Sequence, residues 1–251
     1  MEKRLKLAAV IVLMVSLGSC VSKKEIVYLQ DTEGITALEA IVKAEPEIQQ
    51  NDILSINVSA MDAEAALPFN LFEAGSATSV SKPITYLVNS DGDINFPVLG
   101  KIKVEGFTIK EITRYLTEAL AVYIKNPIVN IRLTNFKVTV LGEVQKPGTY
   151  PVPNERISIL EAIGLAGDLT IQGKRKNMVL IREQNGKRTF VNIDLTNKEI
   201  LNSPYFYLAQ NDVLIVEPNK TKINSSAVGP NIGVIFASIS TLISIIVLIT
   251  R

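Results

Sequence analysis

The sequence predicts an α+β protein whose folded part precedes an apolar C-terminal helix. Apolar and polar residues alternate with period two in several short runs, which predicts strands with one wet face. Two other segments have helical spacing and begin at capping boxes, which predicts helices between the strands. A chain of 251 residues, 47% of them hydrophobic, allows one large or two ordinary domains with a packed core.

The clearest periodic signals lie in residues 86–150. Two apolar runs, 86–88 and 94–98, flank a polar cluster at 89–93 whose Asn, Asp and Gly residues predict the turn of a β-hairpin. Asp91 and Asp93 also admit a calcium loop or a carboxylate pair. We favour the turn, because the spacing of an EF-hand is absent.

A helix is predicted after this hairpin. Thr108 and Glu111 form a capping box at its start, and Pro127 predicts its end, because the residue before a proline disfavours the α region. Five apolar residues recur on one face: Ile109, Ile112, Leu116, Leu120 and Tyr123. Alternation then resumes at 128–133, which predicts a strand with Asn130 and Arg132 on its polar face.

A second series of elements follows. We predict strands at the following ranges: 136–141, 178–182, 189–193 and 213–217. Ser158 and Glu161 form a second capping box, and Gly167 stops the short helix that it opens. The inward residues of that helix are Ile159, Ala162, Ile163 and Ala166. A phosphate loop at 164–167 is the weaker reading, because no Walker motif is present.

Several stretches carry a resemblance to a known family. NDILSINV at 51–58, DGDINFPVLGKIKVEG at 91–106, YIKNP at 123–127 and FKVTVLGEVQKPGTY at 136–150 resemble the polysaccharide biosynthesis/export family of Wza-type outer-membrane lipoproteins. Asn51 stands where the family's opening turn usually has glycine, a mild change because asparagine tolerates left-handed φ. The later strand, helix, hairpin and strand resemble the β-grasp domain called SLBB, which follows the export domain in this family.

Composition argues against catalysis. The chain has no histidine, no tryptophan and one cysteine, so nucleophile pairs that need histidine are excluded and the common zinc sites lose their usual ligands. No pair of acidic residues stands apart from turns and caps, which disfavours a glycosidase. No nucleotide loop is visible, and the near-neutral charge gives no nucleic-acid footprint. We therefore predict a protein that is not an enzyme and that has no cofactor and no metal.

The N-terminus is typical of a bacterial lipoprotein. Residues 1–19 have a basic start and a short apolar run, and the sequence Leu-Gly-Ser-Cys that ends at Cys20 resembles a lipobox. We predict that Cys20 is lipidated. A signal-anchor helix with an incidental cysteine is the alternative, but the apolar run is too short to span a bilayer. No aspartate follows Cys20, which by analogy favours sorting to the outer membrane.

The C-terminus predicts a transmembrane helix. Residues 223–250 hold no ionisable side chain, and 232–250 are long enough to cross the hydrocarbon layer. A buried core helix is the alternative. On a helical wheel, small and hydroxyl-bearing residues form a stripe that favours helix-helix packing: Gly233, Ala237, Ser240, Thr241 and Ser244. Such a stripe could line a modest pore or only pack helices.

These signals divide the chain into predicted segments. They are a signal peptide at 1–19, a lipidated arm at 20–46, an export domain at 47–134, an SLBB-like β-grasp domain at 135–217, a linker at 218–231 and a transmembrane helix at 232–250. Residues 61–83 show no sustained period and read as a long loop or a short helical insertion.

The resemblance implies a function. It implies a homo-oligomer, octameric in the best-known case, that forms a periplasmic ring at the outer membrane and passes capsular or extracellular polysaccharide. It also implies an inner-membrane polysaccharide co-polymerase, often with a tyrosine kinase domain, as partner. The alternative is a membrane-anchored periplasmic β-grasp protein that binds or scaffolds without a pore. An inner-membrane location is the less favoured one.

Overall fold

The computed structural model describes residues 26–30, 46–73, 82–184, 186–228 and 232–249 and mixes helices with strands. Its strands are β1 (Ile53–Ser59), β2 (Thr85–Leu87), β3 (Asp93–Phe96), β4 (Gly100–Lys103), β5 (Ile128–Leu133), β6 (Lys137–Gly142), β7 (Gly148–Pro151), β8 (Ile157–Ser158), β9 (Met178–Gln184), β10 (Lys187–Ile193), β11 (Tyr207–Leu208) and β12 (Val213–Val216). Its helices are α1 (Ala63–Ala66), α2 (Ile109–Leu120), α3 (Ile159–Leu165), α4 (Lys220–Val228) and α5 (Ile232–Ile249), with 3-10 turns at Leu67–Phe69 and Lys198–Asn202.

Strands β1 to β5 and helix α2 enclose one hydrophobic core, and we call them the first unit. Strand β1 lies between β2 and β5 in an antiparallel sheet, and β3 pairs with β4 as a separate hairpin. Leu54, Ile56 and Val58 of β1 are buried and alternate with less buried residues. In β5, Val129 and Ile131 are buried while the residues between them are exposed, so the predicted strand at 128–133 is confirmed.

Helix α2 begins where the capping box predicts. The Glu111 amide donates to Thr108 Oγ1 at 3.2 Å, and the Thr108 amide donates to Glu111 Oε2 at 2.8 Å. The helix buries three residues of the predicted face: Ile112, Leu116 and Leu120. It ends well before Pro127, because turns at 121–126 bring Ile124 into the core and leave Tyr123 57% exposed.

The predicted hairpin across residues 89–93 is wrong. Strand β2 pairs with β1 and β3 pairs with β4, so the two apolar runs lie in different sheets. The polar cluster is still a turn, because Asn89 Oδ1 accepts hydrogen bonds from the amides of Asp91 and Asp93, both at 2.9 Å. A turn that is satisfied by its own side chains does not need its flanking strands to pair.

Strands β6 to β12 and helix α3 enclose the other core, and we call them the second unit. Its main sheet has the order β10-β9-β12-β6-β7, in which β12 runs parallel to β6 and antiparallel to β9. Strands β9 and β10 form the predicted hairpin, although Asn185 in its turn lies outside the described residues. The last strand of the unit, β12, therefore pairs with its first strand, β6.

The pairing of β6 with β12 requires glycine at position 142. Gly142 has φ +89°, and a Cβ atom there would lie 2.0 Å from the Val216 carbonyl oxygen. No side chain fits at that distance, and left-handed φ is costly for other residues. The Glu143 amide donates to the same carbonyl at 3.0 Å, so the segment that follows β6 stays in contact with the end of β12.

Helix α3 agrees with its sequence signals. The Glu161 amide donates to Ser158 Oγ at 3.2 Å, and the Ser158 amide donates to Glu161 Oε2 at 2.7 Å. All four predicted inward residues are buried: Ile159, Ala162, Ile163 and Ala166. Gly167 takes φ +76° and its amide donates to the Gly164 carbonyl at 3.0 Å, so these glycines belong to a helix end.

Two helices follow β12. Helix α4 lies within residues 218–231, where we expected a linker. Helix α5 has 18 residues, about 27 Å at 1.5 Å per residue, against a hydrocarbon layer of about 30 Å. Within the part of the chain that the structure describes, no helix is found to combine the length and apolar character needed to cross a membrane. The transmembrane helix predicted at 232–250 is therefore not supported.

Asp52 is a buried carboxylate at the start of β1. Its residue surface is 1% exposed, Oδ2 accepts a hydrogen bond from the Gln49 amide at 2.8 Å, and Oδ1 has no hydrogen-bond partner among the described residues. Burial raises the pKa of Asp52 to about 6, and the Gln49 hydrogen bond only partly opposes this. The ionised form is therefore disfavoured in the folded chain relative to the unfolded chain.

Replacing Asp52 with asparagine should remove this pH dependence. The parent contribution is fully present below the ordinary carboxyl pKa of 3.8 and is lost as the pH rises through about 6. Linkage gives at most about 3 kcal/mol for this shift. We expect the unfolding free energy of Asp52→Asn, relative to the parent, to rise by about 2–3 kcal/mol between pH 4 and pH 7.5 in urea titrations. A difference that is independent of pH would contradict this account.

Candidate functional site

The predicted lipid site, Cys20, lies outside the described residues. Its lipidation stays a prediction. The described chain begins at Ile26, six positions after it, and residues 26–30 lie against the second unit.

Helix α5 carries the other predicted site residues, and all five are exposed: Gly233, Ala237, Ser240, Thr241 and Ser244. The large apolar side chains described on this helix are exposed as well, from 47% at Ile239 to 82% at Leu248. Helix α5 therefore presents apolar surface on more than the predicted stripe. Surface of this kind marks a contact with another molecule.

The hydroxyl groups of the stripe are bound within the helix itself. Ser240 Oγ donates to the Ala237 carbonyl at 2.9 Å, Thr241 Oγ1 donates to the same carbonyl at 2.8 Å, and Ser244 Oγ donates to the Ser240 carbonyl at 2.9 Å. Their hydrogens are not free to bond a neighbouring helix. Small size, rather than hydrogen bonding, is what these residues offer to close packing.

A shallow depression runs beside the stripe, with a volume of ≈ 550 Å³. It is lined by Gly233, Val234, Ala237, Ser238, Thr241, Leu242 and Ile245. The structure thus brings three of the five predicted residues to this depression, whereas Ser240 and Ser244 lie outside its lining. Its lining combines small residues with branched apolar ones, a combination that suits packing against another apolar helix.

A groove of ≈ 400 Å³ lies on the first unit between β4 and α2. Its lining is Ile102, Lys103, Phe107, Glu111, Ile112, Arg114, Tyr115 and Glu118. Two aromatic rings, Phe107 at 43% and Tyr115 at 52% exposure, are open to a ligand. Acidic and basic side chains are equally represented at its rim, so the groove has no charge preference for a polyanion.

Two tyrosine rings of the second unit are already partnered by arginines. The Arg156 guanidinium lies 5.0 Å from the centroid of the Tyr207 ring, and that of Arg182 lies 5.3 Å from the Tyr205 ring. Arg182 also holds the buried Asp212 carboxylate, with its closest contact at 2.7 Å. The ring faces of Tyr205 and Tyr207 that the arginines occupy are not free to stack on sugars.

Metal chemistry finds no support in the described part of the chain. No group of three or more His, Cys, Asp or Glu side chains there could hold a metal ion. Asp91 and Asp93 belong to the turn at 89–93, where their amides bind Asn89.

Two amide side chains join the units. Asn135 Oδ1 accepts a hydrogen bond from the Ile53 amide at 2.9 Å, and Asn135 Nδ2 donates to the Asn51 carbonyl at 2.9 Å. Gln210 Nε2 donates to the Asn135 carbonyl at 2.8 Å, and its Oε1 accepts from the Lys137 amide at 2.8 Å. The beginning of β1 is thus tied to the beginning of β6 and to the loop before β12.

Comparison with known families agrees with this two-unit arrangement. The model for the polysaccharide biosynthesis/export protein family matches residues 41–134, and the SLBB domain model matches residues 137–192. Residues 41–134 belong to the polysaccharide biosynthesis/export family. The first unit coincides with its export domain and the second contains the SLBB match. The predicted resemblance is therefore confirmed for both units.

Two curated relatives of this family were found. The chain is 28% identical over 198 residues to the EPS I polysaccharide export outer membrane protein EpsA of Ralstonia solanacearum, covering 75% of this chain and 52% of the relative. It is 30% identical over 153 residues to the protein of the same name from Ralstonia nicotianae, covering 59% of this chain and 39% of the relative. The chain spans about half the length, or less, of these relatives.

Family membership bears on the predicted absence of catalysis. Members of this family are export proteins rather than enzymes, so the prediction that the chain is not an enzyme is confirmed by the family.

Sequence reasoning missed several residues that organise the site. Asn135 and Gln210 belong to no motif, and each becomes important only because distant strands bring them together. Tyr28 lies within the predicted arm at 20–46 and carries no motif, although it packs against the core of the second unit. The groove beside α2 could not be predicted from the sequence, because its acidic and basic residues alternate as they do on an ordinary solvated helix face.

Removing the Asn135 side chain should weaken the junction. Asn135→Ala leaves the Ile53 amide and the Asn51 carbonyl without their partners, which costs about 1–3 kcal/mol in unfolding free energy. Asn130→Ala, on the exposed face of β5, is the matched control and should change it by less than about 0.5 kcal/mol. Urea unfolding measures both, and equal effects would exclude a special role for Asn135.

Proposed function

We propose that this chain is an outer-membrane lipoprotein whose copies form a periplasmic ring for the export of capsular or extracellular polysaccharide. The observation that carries the proposal is the order of the two family matches, export domain then SLBB domain, on two units that each have a core of their own. A second support is the name of both relatives, which are polysaccharide export outer membrane proteins.

Attachment to the membrane would come from the N-terminus. Residues 1–19 would be removed as a signal peptide, and lipid on Cys20 would anchor the mature chain. A single acyl chain gives marginal membrane binding, whereas the several chains of a processed lipoprotein give stable anchoring. The body would then hang in the periplasm.

Self-association would come in part from α5. Its described large apolar side chains, Leu248 at 82% exposure among them, need a cover that the described part of the chain does not give. A second copy of α5 supplies an apolar surface of matching character, and the stripe of small residues permits close approach of the two backbones. We propose an octamer by resemblance to the best-known member of the family.

A conduit must not hold its cargo tightly, because a strong site stalls a moving chain. Two features of the described surface suit that requirement. The groove beside α2 has mixed charges at its rim, and the rings of Tyr205 and Tyr207 are covered by arginines. The force for export would come from an inner-membrane polysaccharide co-polymerase, often with a tyrosine kinase domain, as the family resemblance implies.

A scaffold without a pore is the second candidate. It is favoured by the hydroxyl groups of α5, which are bound to their own helix and so do not provide a polar lining. The two candidates share the anchor and the fold. They differ in whether the oligomer encloses a lumen.

Membrane fractionation combined with particle imaging tests the proposal. Cells expressing the full chain are labelled with palmitate, their membranes are separated, and the detergent-extracted protein is imaged. We expect labelled protein in the outer-membrane fraction and ring-shaped particles with a central lumen. Labelled particles without a lumen would favour the scaffold, and an unlabelled monomer would refute both candidates. Cys20→Ser is the control that should remove the label.

The double variant Ser240→Leu with Ser244→Leu should weaken helix clustering. Leucine adds bulk at positions where small residues allow close approach, so we expect smaller oligomers and reduced export with the body still folded. Ser240→Ala with Ser244→Ala is the matched control. It removes both hydroxyls while it keeps the residues small, and we expect unchanged oligomers because these hydroxyls bind only within the helix. Oligomer mass by light scattering would show the difference, and an unchanged mass in the leucine variant would refute the packing role.

A further inference from the structure

Residues 26–30 lie on the second unit in a defined register. The Leu29 amide donates to the Leu195 carbonyl at 3.0 Å, and the Gln30 amide donates to the Thr196 carbonyl at 2.8 Å. The side chains of Tyr28 and Leu29 pack against the hydrophobic core of that unit. Backbone bonds fix the register of the segment, and the two side chains add apolar contact.

Tyr28 is the main anchor of this segment. Its hydroxyl donates to the Asp168 carboxylate, and its ring centroid lies 5.7 Å from the Arg175 guanidinium. Burial, followed by the hydrogen bond to Asp168, raises the pKa of Tyr28 above its usual value. The hydroxyl therefore stays protonated and remains a donor at physiological pH.

The receiving surface is held in place by bonds that do not involve the segment. Arg175 is 5% exposed, and one of its terminal nitrogens donates to the Thr170 and Gly173 carbonyls, both at 2.7 Å. The Leu195 amide donates to the Arg175 carbonyl at 2.9 Å, and the Thr196 amide donates to Asp194 Oδ1 at 2.8 Å. A surface that is ordered beforehand loses little entropy when a short peptide docks on it.

The docked position limits how far the second unit can lie from Cys20. A fully extended chain spans at most about 3.5 Å per residue, so the six steps from Cys20 to Ile26 reach about 20 Å. The next described residue along the chain is Pro46, and 26 steps from Cys20 reach at most about 90 Å. The limit at Ile26 is therefore more than fourfold shorter than the limit at Pro46.

We propose that residues 26–30 are a docking segment that holds the second unit within about 20 Å of the membrane through its contacts with Asp168, Arg175, Leu195 and Thr196. The membrane part of this inference rests on the lipidation of Cys20 in the proposed function. The docking part does not. The occupant of the surface is the chain's own N-terminal segment, and the first unit is left farther from the anchor along the chain.

Hydrogen exchange in the full chain tests the docking. We expect the amides of Leu29 and Gln30 to exchange at least tenfold more slowly than free peptide, because both are donors to buried residues. Tyr28→Ala should abolish that protection, and Tyr28→Phe, which keeps the ring, should reduce it. Val27→Ala is the matched control, since Val27 is 40% exposed and only its carbonyl is used within the segment. Free exchange in the parent, or full protection in Tyr28→Ala, would overturn the docking. Protection that disappears on dilution to monomer would assign the segment to a neighbouring copy and overturn it as well.

Energy transfer to a labelled bilayer tests the membrane placement. Cys20 is the sole cysteine and is consumed by lipidation, so Glu199→Cys gives one dye position, on an exposed residue three positions after Thr196. In vesicles with an acceptor lipid, we expect transfer from position 199 in the otherwise unchanged chain, and a fall in transfer of at least twofold when Tyr28→Ala is added.

Three outcomes distinguish the docking of residues 26–30 from the placement of the second unit near the membrane. Equal transfer with and without Tyr28→Ala would refute the placement. Protection of Leu29 and Gln30 in a chain that takes up no palmitate would keep the docking but refute both the placement and the proposed anchor. Palmitate labelling without protection would keep the anchor and refute the docking.

Discussion

The parallel pairing of β12 with β6 is the constraint on which the rest of the molecule depends. It joins residues more than 70 positions apart and leaves room for no side chain at Gly142, whose absent Cβ would meet Val216. The loop just before β12 supplies Gln210 to the junction between the units and Asp212 to Arg182. Because β6 and β12 pair in a single register, Gln210 and Asp212 lie within hydrogen-bond distance of their partners. Loss of that register would remove the Gln210 hydrogen bonds beside the junction and disturb the ion pair that holds the buried Asp212 carboxylate.

Structural features that depend on contacts between residues close in sequence could be predicted. The two capping boxes, at Thr108 and Ser158, place both helix starts correctly, because donor and acceptor belong to one turn of helix. The end of α2 could not be predicted, since it is set by the burial of Ile124 rather than by Pro127. The hairpin at 89–93 failed for a related reason: turn chemistry identifies a turn, but only the sheet decides which strands pair across it.

The candidate site was predictable in part. Composition disfavours an enzyme, the resemblance of several stretches to a known family implies an export protein, and the family matches agree. The stripe on α5 follows from helical spacing. The structure was needed to show that the hydroxyls of Ser240 and Thr241 donate to a carbonyl of their own helix. Asn135 and Tyr28 carry no pattern at all, because each binds a partner from a distant part of the chain. Residues of this kind become visible only when the fold is known.

The docked segment at 26–30 gives the chain an unusual topology. Near the N-terminus of the chain, Leu29 meets the second unit at Leu195. Near the C-terminus, helices α4 and α5 follow β12 of the same unit. The first unit is thus an insertion, bounded by two crossings near residues 46 and 134, between the two ends of one body. Evolution can enlarge, shrink or replace such an inserted module without moving either end of the chain, so the two halves are free to diverge at different rates.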